Sequence, residues 1–166
     1  MSTGLDKGKM SNRWKLMADS SKDLDAVARQ LGRTPRPFRV AARCPFGLPS
    51  VIENERTREM PTSFWVTCPG LVAAISRVES TGGVREAQEA VGRAAVEEIH
   101  GEHRSRYGTR VAGVRDEATG SVKCLHAFTA LHVSGAIPNV VAEWILGRLG
   151  NPYPESRCCI AEDADG

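Results

Sequence analysis

Between Pro35 and Pro69 the chain carries three short segments rich in β-branched and aromatic residues, each bounded by proline or glycine. After Pro69 that pattern gives way to helical spacing. Strand-forming and helix-forming stretches are therefore segregated along the sequence, which points to an α+β fold rather than alternating β–α–β units. The expected architecture is a small mixed or antiparallel sheet packed against several helices in a single domain. Its strands are FRVAARC, ending at Cys44, then SVIENE, then TSFWVTC, ending at Cys68. The CPFGLP stretch after the first strand has the proline and glycine density of a tight turn.

A helix is expected before the sheet, capped by Ser20 or Ser21 and ended by Gly32, with Leu24, Val27, Ala28 and Leu31 on its buried face. Pro69 suits the first turn of a second helix, LVAAISRVES, with Leu71, Ala74, Ile75 and Val78 inward. Cys68 then falls near its N-cap. Thr81-Gly82-Gly83 closes that helix, and VREAQEAVGRAAVEEIHGEHRSRY reads as one longer helix. The polar stretch from Gly108 to Gly120 reads as a loop or irregular hairpin, with RVAGVR as a short strand. Two further helices are expected, Ser121 to Val133 and Pro138 to Leu149, the second burying Val141, Trp144, Ile145 and Leu149.

Residues 1–19 are polar without a sustained period and read as a flexible arm with a short helical turn around Trp14 to Met17. The globular domain is expected over 20–153 and an acidic disordered tail over 154–166. With 166 residues, 41% of them apolar, the chain is long enough to bury a core. It has no run of about 20 apolar residues to span a bilayer, and its start lacks the apolar stretch of a secretion signal. A cytoplasmic protein is expected.

Five cysteines are an odd number, and a chain of this size in a reducing compartment needs no disulfide scaffold. Metal binding or thiol chemistry explains most of them better. Cys44 and Cys68 each precede a proline at an inferred strand end, where side chains can converge, and the third is in Cys124-Leu125-His126. Residues two apart on a helix point to nearly opposite sides. Cys124 and His126 can therefore share an ion only if Cys124 is at a non-helical cap or in extended chain.

Cys44, Cys68, Cys124 and His126 together match the donor set of a structural zinc site, although the paired Cys-x-x-Cys knuckles of a finger are missing. Two alternatives use the same residues. One is an iron–sulfur cluster with His126 or an open position as the fourth ligand. The other is a thiol enzyme in which a cysteine at a helix N-terminus is the nucleophile and His126 its base. The bland reading is that the cysteines are small buried hydrophobes. Cys158 and Cys159 belong to the tail and have no partner motif.

Glu97, His100 and His103 imitate half of a di-metal site, but the second half is missing and a solvated charged face is the better reading. Arg77 and Glu79, two apart, would not face each other, and His132 reads as a partly buried helix residue.

Net charge is +2, unevenly spread: residues 1–58 hold twelve Lys/Arg against six Asp/Glu, the remainder ten against fourteen. Arg33, Arg36, Arg39 and Arg43 are grouped with no acid between them and could meet an anion or nucleic acid. A solvated loop is favoured, because only Phe38 offers a stacking surface for a base. No other partner is indicated.

Taken in order, VARQLGRTPR, VAARCPFGLPSV, TCPGLVAAISRVES, VKCLHA and GNP resemble the actinobacterial domain-of-unknown-function family five hundred and one, over roughly Leu24 to Pro152. The resemblance implies an actinobacterial cytoplasmic protein and carries no catalytic residues with it. It does imply that Cys44, Cys68, Cys124 and His126 belong together, since those residues mark the family.

Overall fold

The computed structural model describes residues 21–55 and 62–153. The expected arm, its helical turn, and the tail with Cys158 and Cys159 lie outside the described residues. Helix α1, Ser21–Leu31, leads into strands β1, Phe38–Arg43, β2, Pro49–Asn54, and β3, Phe64–Val66. Helices α2, Pro69–Ser80, α3, Gly83–Val91, α4, Arg93–Tyr107, α5, Leu125–Val133, and α6, Val140–Leu149, follow. The strands form one antiparallel sheet in the order β1-β2-β3, and the α+β expectation is borne out.

Neighbouring residues of β2 face opposite layers, as the period of two demands. Ile52 joins Val27 of α1 and Phe38 of β1 in a small cluster on one face. Val51 joins Leu71, Ile75, Ala87, Leu125 and Phe128 in the main core on the other. The sheet is therefore covered on both sides, by α1 alone and by the later helices. Helix α1 buries Ala26 and Val27, whereas Leu24, expected inside, is 39% exposed. With one thin strand layer to cover, its buried stripe is narrower than the sequence pattern implies.

The turn after β1 forms as expected: the Gly47 amide donates to the Cys44 carbonyl at 2.9 Å, and Gly47 has φ +80°. Strand β3 is only three residues long. The Thr67 and Cys68 amides both turn to the Ser50 carbonyl, and Pro69 starts α2 at once.

The expected long helix from Val84 to Tyr107 is broken at Gly92, whose φ of +86° and ψ of 152° lie far from helical values. Apolar residues continue across the break, so their period conceals it. The stretch from Gly108 to Gly120, read as a loop or irregular hairpin in which RVAGVR could make a short strand, holds two short 3₁₀ turns instead, Val111–Gly113 within RVAGVR and Asp116–Ala118 after it. No strand pairs with this stretch among the described residues, and its buried side chains Val111 and Val114 anchor it.

Helix α5 starts at Leu125 rather than Ser121, because the Val122 amide is taken by the Gln88 side chain and Cys124 is extended at φ −152°, ψ 119°. Helix α6 starts after Asn139 rather than at Pro138. The Asn139 side chain accepts from the Ala142 amide at 2.8 Å and donates to the Phe128 and Ile137 carbonyls. A capping asparagine outranks a leading proline in setting that boundary.

His100 and His103, expected on a solvated charged face, are 0% and 4% exposed. Their rings hold the 108–121 stretch. His100 Nε2 donates to the Ser121 carbonyl at 2.7 Å, its Nδ1 accepts from the Val111 amide at 3.2 Å, and His103 Nδ1 bonds the Thr109 carbonyl. His132 is partly buried, as expected, and accepts from the Asn139 amide.

Two predictions follow from packing and titration. A Cβ on Gly83 would come within 2.5 Å of the Val78 carbonyl oxygen, whereas one on Gly101 meets nothing within 4 Å. Gly83→Ala should lose about 1–3 kcal/mol as an overpacking change, and Gly101→Ala should gain about 0.5–1 kcal/mol of helix stability. Urea midpoints at unchanged slope measure both. For His100, burial depresses the pKa below the ordinary 6.5, with Arg110 adding to it and the Ser121 carbonyl opposing. The unfolded chain therefore takes up this proton first as pH falls. Stability is full above about 6.5 and is lost progressively below it toward the folded value. The difference in urea midpoint between pH 8 and pH 5.5 should shrink in His100→Gln, and an unchanged difference would refute the assignment.

Candidate metal centre

Helix α5 is buried almost all round, with Leu125 and residues 127–131 inside. Its first amides cannot be left to water, and Cys124 at the N-cap makes no side-chain cap. The missing acceptor comes from the last turn of α2. Glu79 Oε2 accepts from the Leu125 amide at 2.8 Å.

The other carboxylate oxygen, Glu79 Oε1, lies 2.9 Å from His126 Nδ1. Cys124 Sγ is 3.8 Å from the same nitrogen. The extended cap conformation of Cys124 is what lets residues 124 and 126 converge, as the sequence argument required. On the far side of the ring, Nε2 is 3.2 Å from the Val72 carbonyl and 3.2 Å from Ser76 Oγ. A carbonyl can only accept, so Nε2 carries a proton. The Nδ1 position is thereby aimed at the carboxylate and the sulfur.

With a proton on Nδ1 as well, His126 is an imidazolium. Its pKa is raised above the ordinary 6.5, first by the hydrogen bond with Cys124 and then, against the cost of burial, by the Glu79 charge and the Val72 carbonyl. An ion in place of that proton meets three different donors. The carboxylate oxygen, the sulfur and the imidazole nitrogen all lie within 4.8 Å of one another. In tetrahedral zinc, bonds of about 2.0–2.3 Å put sulfur and nitrogen about 3.5 Å apart and nitrogen and oxygen about 3.3 Å apart. The sulfur–nitrogen distance of 3.8 Å and the nitrogen–oxygen distance of 2.9 Å each need to move by only a few tenths of an ångström. The Glu79, Cys124 and His126 group could hold a metal ion, with Val72 as the outer partner that fixes the ring tautomer.

Cys44 and Cys68 are not in this group. Strands β1 and β3 both run opposite to β2, so their ends lie at the same edge of the sheet, on either side of Ser50. Tyr153 sits there too. Burial pushes its phenol pKa up, and negative charge on Cys68 and Cys44 adds to it. Cys68 is the N-cap of α2, as expected, but Glu79 is eleven residues further along that helix, about 16 Å by helical rise. Sequence reasoning missed Glu79. The signal available was a helix start at Cys124 with no capping side chain of its own.

The arginine group is partly consumed by the fold. Arg43 makes a two-pronged pair with Asp23, at 2.9 and 2.8 Å, and bonds the Gly47 carbonyl; Arg39 pairs with Glu53. Arg33 and Arg36 are exposed.

Residues 40–107 match the model of a family described as "Protein of unknown function (DUF501)", the family that the sequence resembles. That stretch includes Cys44, Cys68 and Glu79 and stops short of Cys124 and His126. Comparison with curated proteins and with solved structures gave no match. No helix among the described residues is long and apolar enough to cross a membrane.

The geometry predicts a titration result. Glu79→Gln keeps an acceptor for the Leu125 amide and removes the charge beside His126. Its His126 pKa should fall relative to wild type, with the fold intact, in an NMR titration of the histidine ring protons. A pKa that stays put would mean that the carboxylate does not face the ring.

Proposed function

We propose that this chain is a metal-binding protein whose ion is held by Glu79, Cys124 and His126, with zinc as the metal. The observation that carries this reading is the convergence of three ligand atoms of different chemistry on one point, with the imidazole already oriented by the Val72 carbonyl. A carboxylate, a thiolate and a neutral imidazole suit zinc. An iron–sulfur cluster asks for more thiolates than this group offers. The wider set of Cys44, Cys68, Cys124 and His126 stays as the alternative ligand set. Cys44 and Cys124 form no disulfide among the described residues, which suits a cytoplasmic setting.

Three protein ligands leave a fourth position open, which is the arrangement of catalytic rather than closed structural zinc. A second reading is a thiol enzyme, favoured by Cys124 at a helix N-terminus within 3.8 Å of His126. Against it, Glu79 and Cys124 both meet Nδ1, so the ring cannot relay a proton from one to the other through its two nitrogens.

Protein purified without chelator should contain about one equivalent of zinc and be colourless. Cys124→Ser and His126→Gln should each lose it, and a strong chelator should lower the wild-type thermal midpoint by several degrees, because metal bound only by the folded chain adds to its stability. Retention of zinc by Cys44→Ser and Cys68→Ser supports the three-residue set, and loss supports the wider one. Cys158→Ser should change nothing. Absence of metal, or chelation without any shift in midpoint, refutes the proposal.

A further inference from the structure

Two of the three candidate ligands, Cys124 and His126, line a cavity of about 290 Å³. Strand β3 supplies Phe64, Trp65 and Val66 to its wall, and Val72, Cys124 and His126 are on the helical side. Apolar atoms dominate the lining. The space is about twice that of a 150 Å³ cavity known to hold benzene, enough for a ring with a short chain. It is also at the small end of the range for ligand sites.

One positive charge lies next to the lining: the carbonyl of Ala112, another lining residue, accepts from the exposed Lys123 Nζ at 3.4 Å. Charge complementarity then selects an anionic head, and the apolar wall selects the body behind it.

Resting on the metal reading above, we propose that the cavity binds a small monoanion with an apolar, ring-sized body. Its anionic oxygen takes the open position on the metal, near Lys123, and its body fills the space against Val66 and Val72. The polar head and apolar body each contribute, so neither alone binds well.

The test is calorimetric titration of the zinc-loaded protein with 3-phenylpropanoate, acetate and 3-phenylpropan-1-ol. The first should bind at least tenfold more tightly than either of the others. Val66→Phe, which fills the cavity from its strand side, should remove the advantage over acetate and leave zinc content unchanged. Equal affinity for acetate and 3-phenylpropanoate overturns the proposal, as does an advantage that survives Val66→Phe. If that variant fails to fold, methyl shifts in the wild type decide. Movement of Val66 and Val72 on titration supports the site, and movement confined elsewhere overturns it. Elemental analysis separates the two readings: a protein without metal loses both, whereas one with zinc and no selectivity loses only this one.

Discussion

The bond from the Leu125 amide to the Glu79 carboxylate is the constraint on which the centre of this molecule depends. Helix α5 lies in the main core with Leu125, Phe128, Ala130 and Leu131 fully or almost fully buried. A buried helix end without partners carries the full desolvation penalty of its amides, about 1–3 kcal/mol for each. Cysteine is a poor cap, so the acceptor has to come from elsewhere in the chain. Glu79 supplies it from the end of α2. The same carboxylate then meets the imidazole, and a solution to a packing problem becomes a cluster of ligands.

The fold was legible where local chemistry and tertiary demand agree. The Cys-Pro dipeptides marked the ends of β1 and β3, and Pro69 marked the start of α2, because proline ends a strand and opens a helix through its own geometry. The break at Gly92 was not legible. The apolar period runs on past it through Ala95 and Ile99, and what ends α3 is a backbone conformation available to glycine, which composition does not reveal. The start of α5 was concealed for the opposite reason. Ser121 looks like a cap, yet the Gln88 side chain from another helix takes the Val122 amide and holds the chain extended for one more turn.

The candidate site was half legible. Cys124 and His126 could be paired from the need for an extended cap, and the structure has that cap. Glu79 lies 45 residues earlier and was weighed only against its neighbour Arg77. Such local pairing rules do not detect a carboxylate that caps another helix. The arginines show the same limit: Arg39 and Arg43 stand without acids nearby in sequence, but the strand register brings Glu53 to one and helix α1 brings Asp23 to the other.

His100 and His126 show how position in the chain of hydrogen bonds decides what an imidazole can do. His100 donates to one backbone carbonyl and accepts from one backbone amide, so its neutral form is satisfied on both nitrogens and burial depresses its pKa. It is a structural strut with no lone pair to spare. His126 also donates from Nε2 to a carbonyl, but its second nitrogen meets a sulfur and a carboxylate instead of an N–H. In the neutral state the only donor facing it is the Cys124 thiol, a weak one at 3.8 Å. A cation satisfies the position better, either a proton shared with Glu79 or a metal ion shared with Glu79 and Cys124. For a metal ion held as proposed, competition between those two cations would make affinity fall as pH drops through the raised His126 pKa, since the metal has to displace the proton.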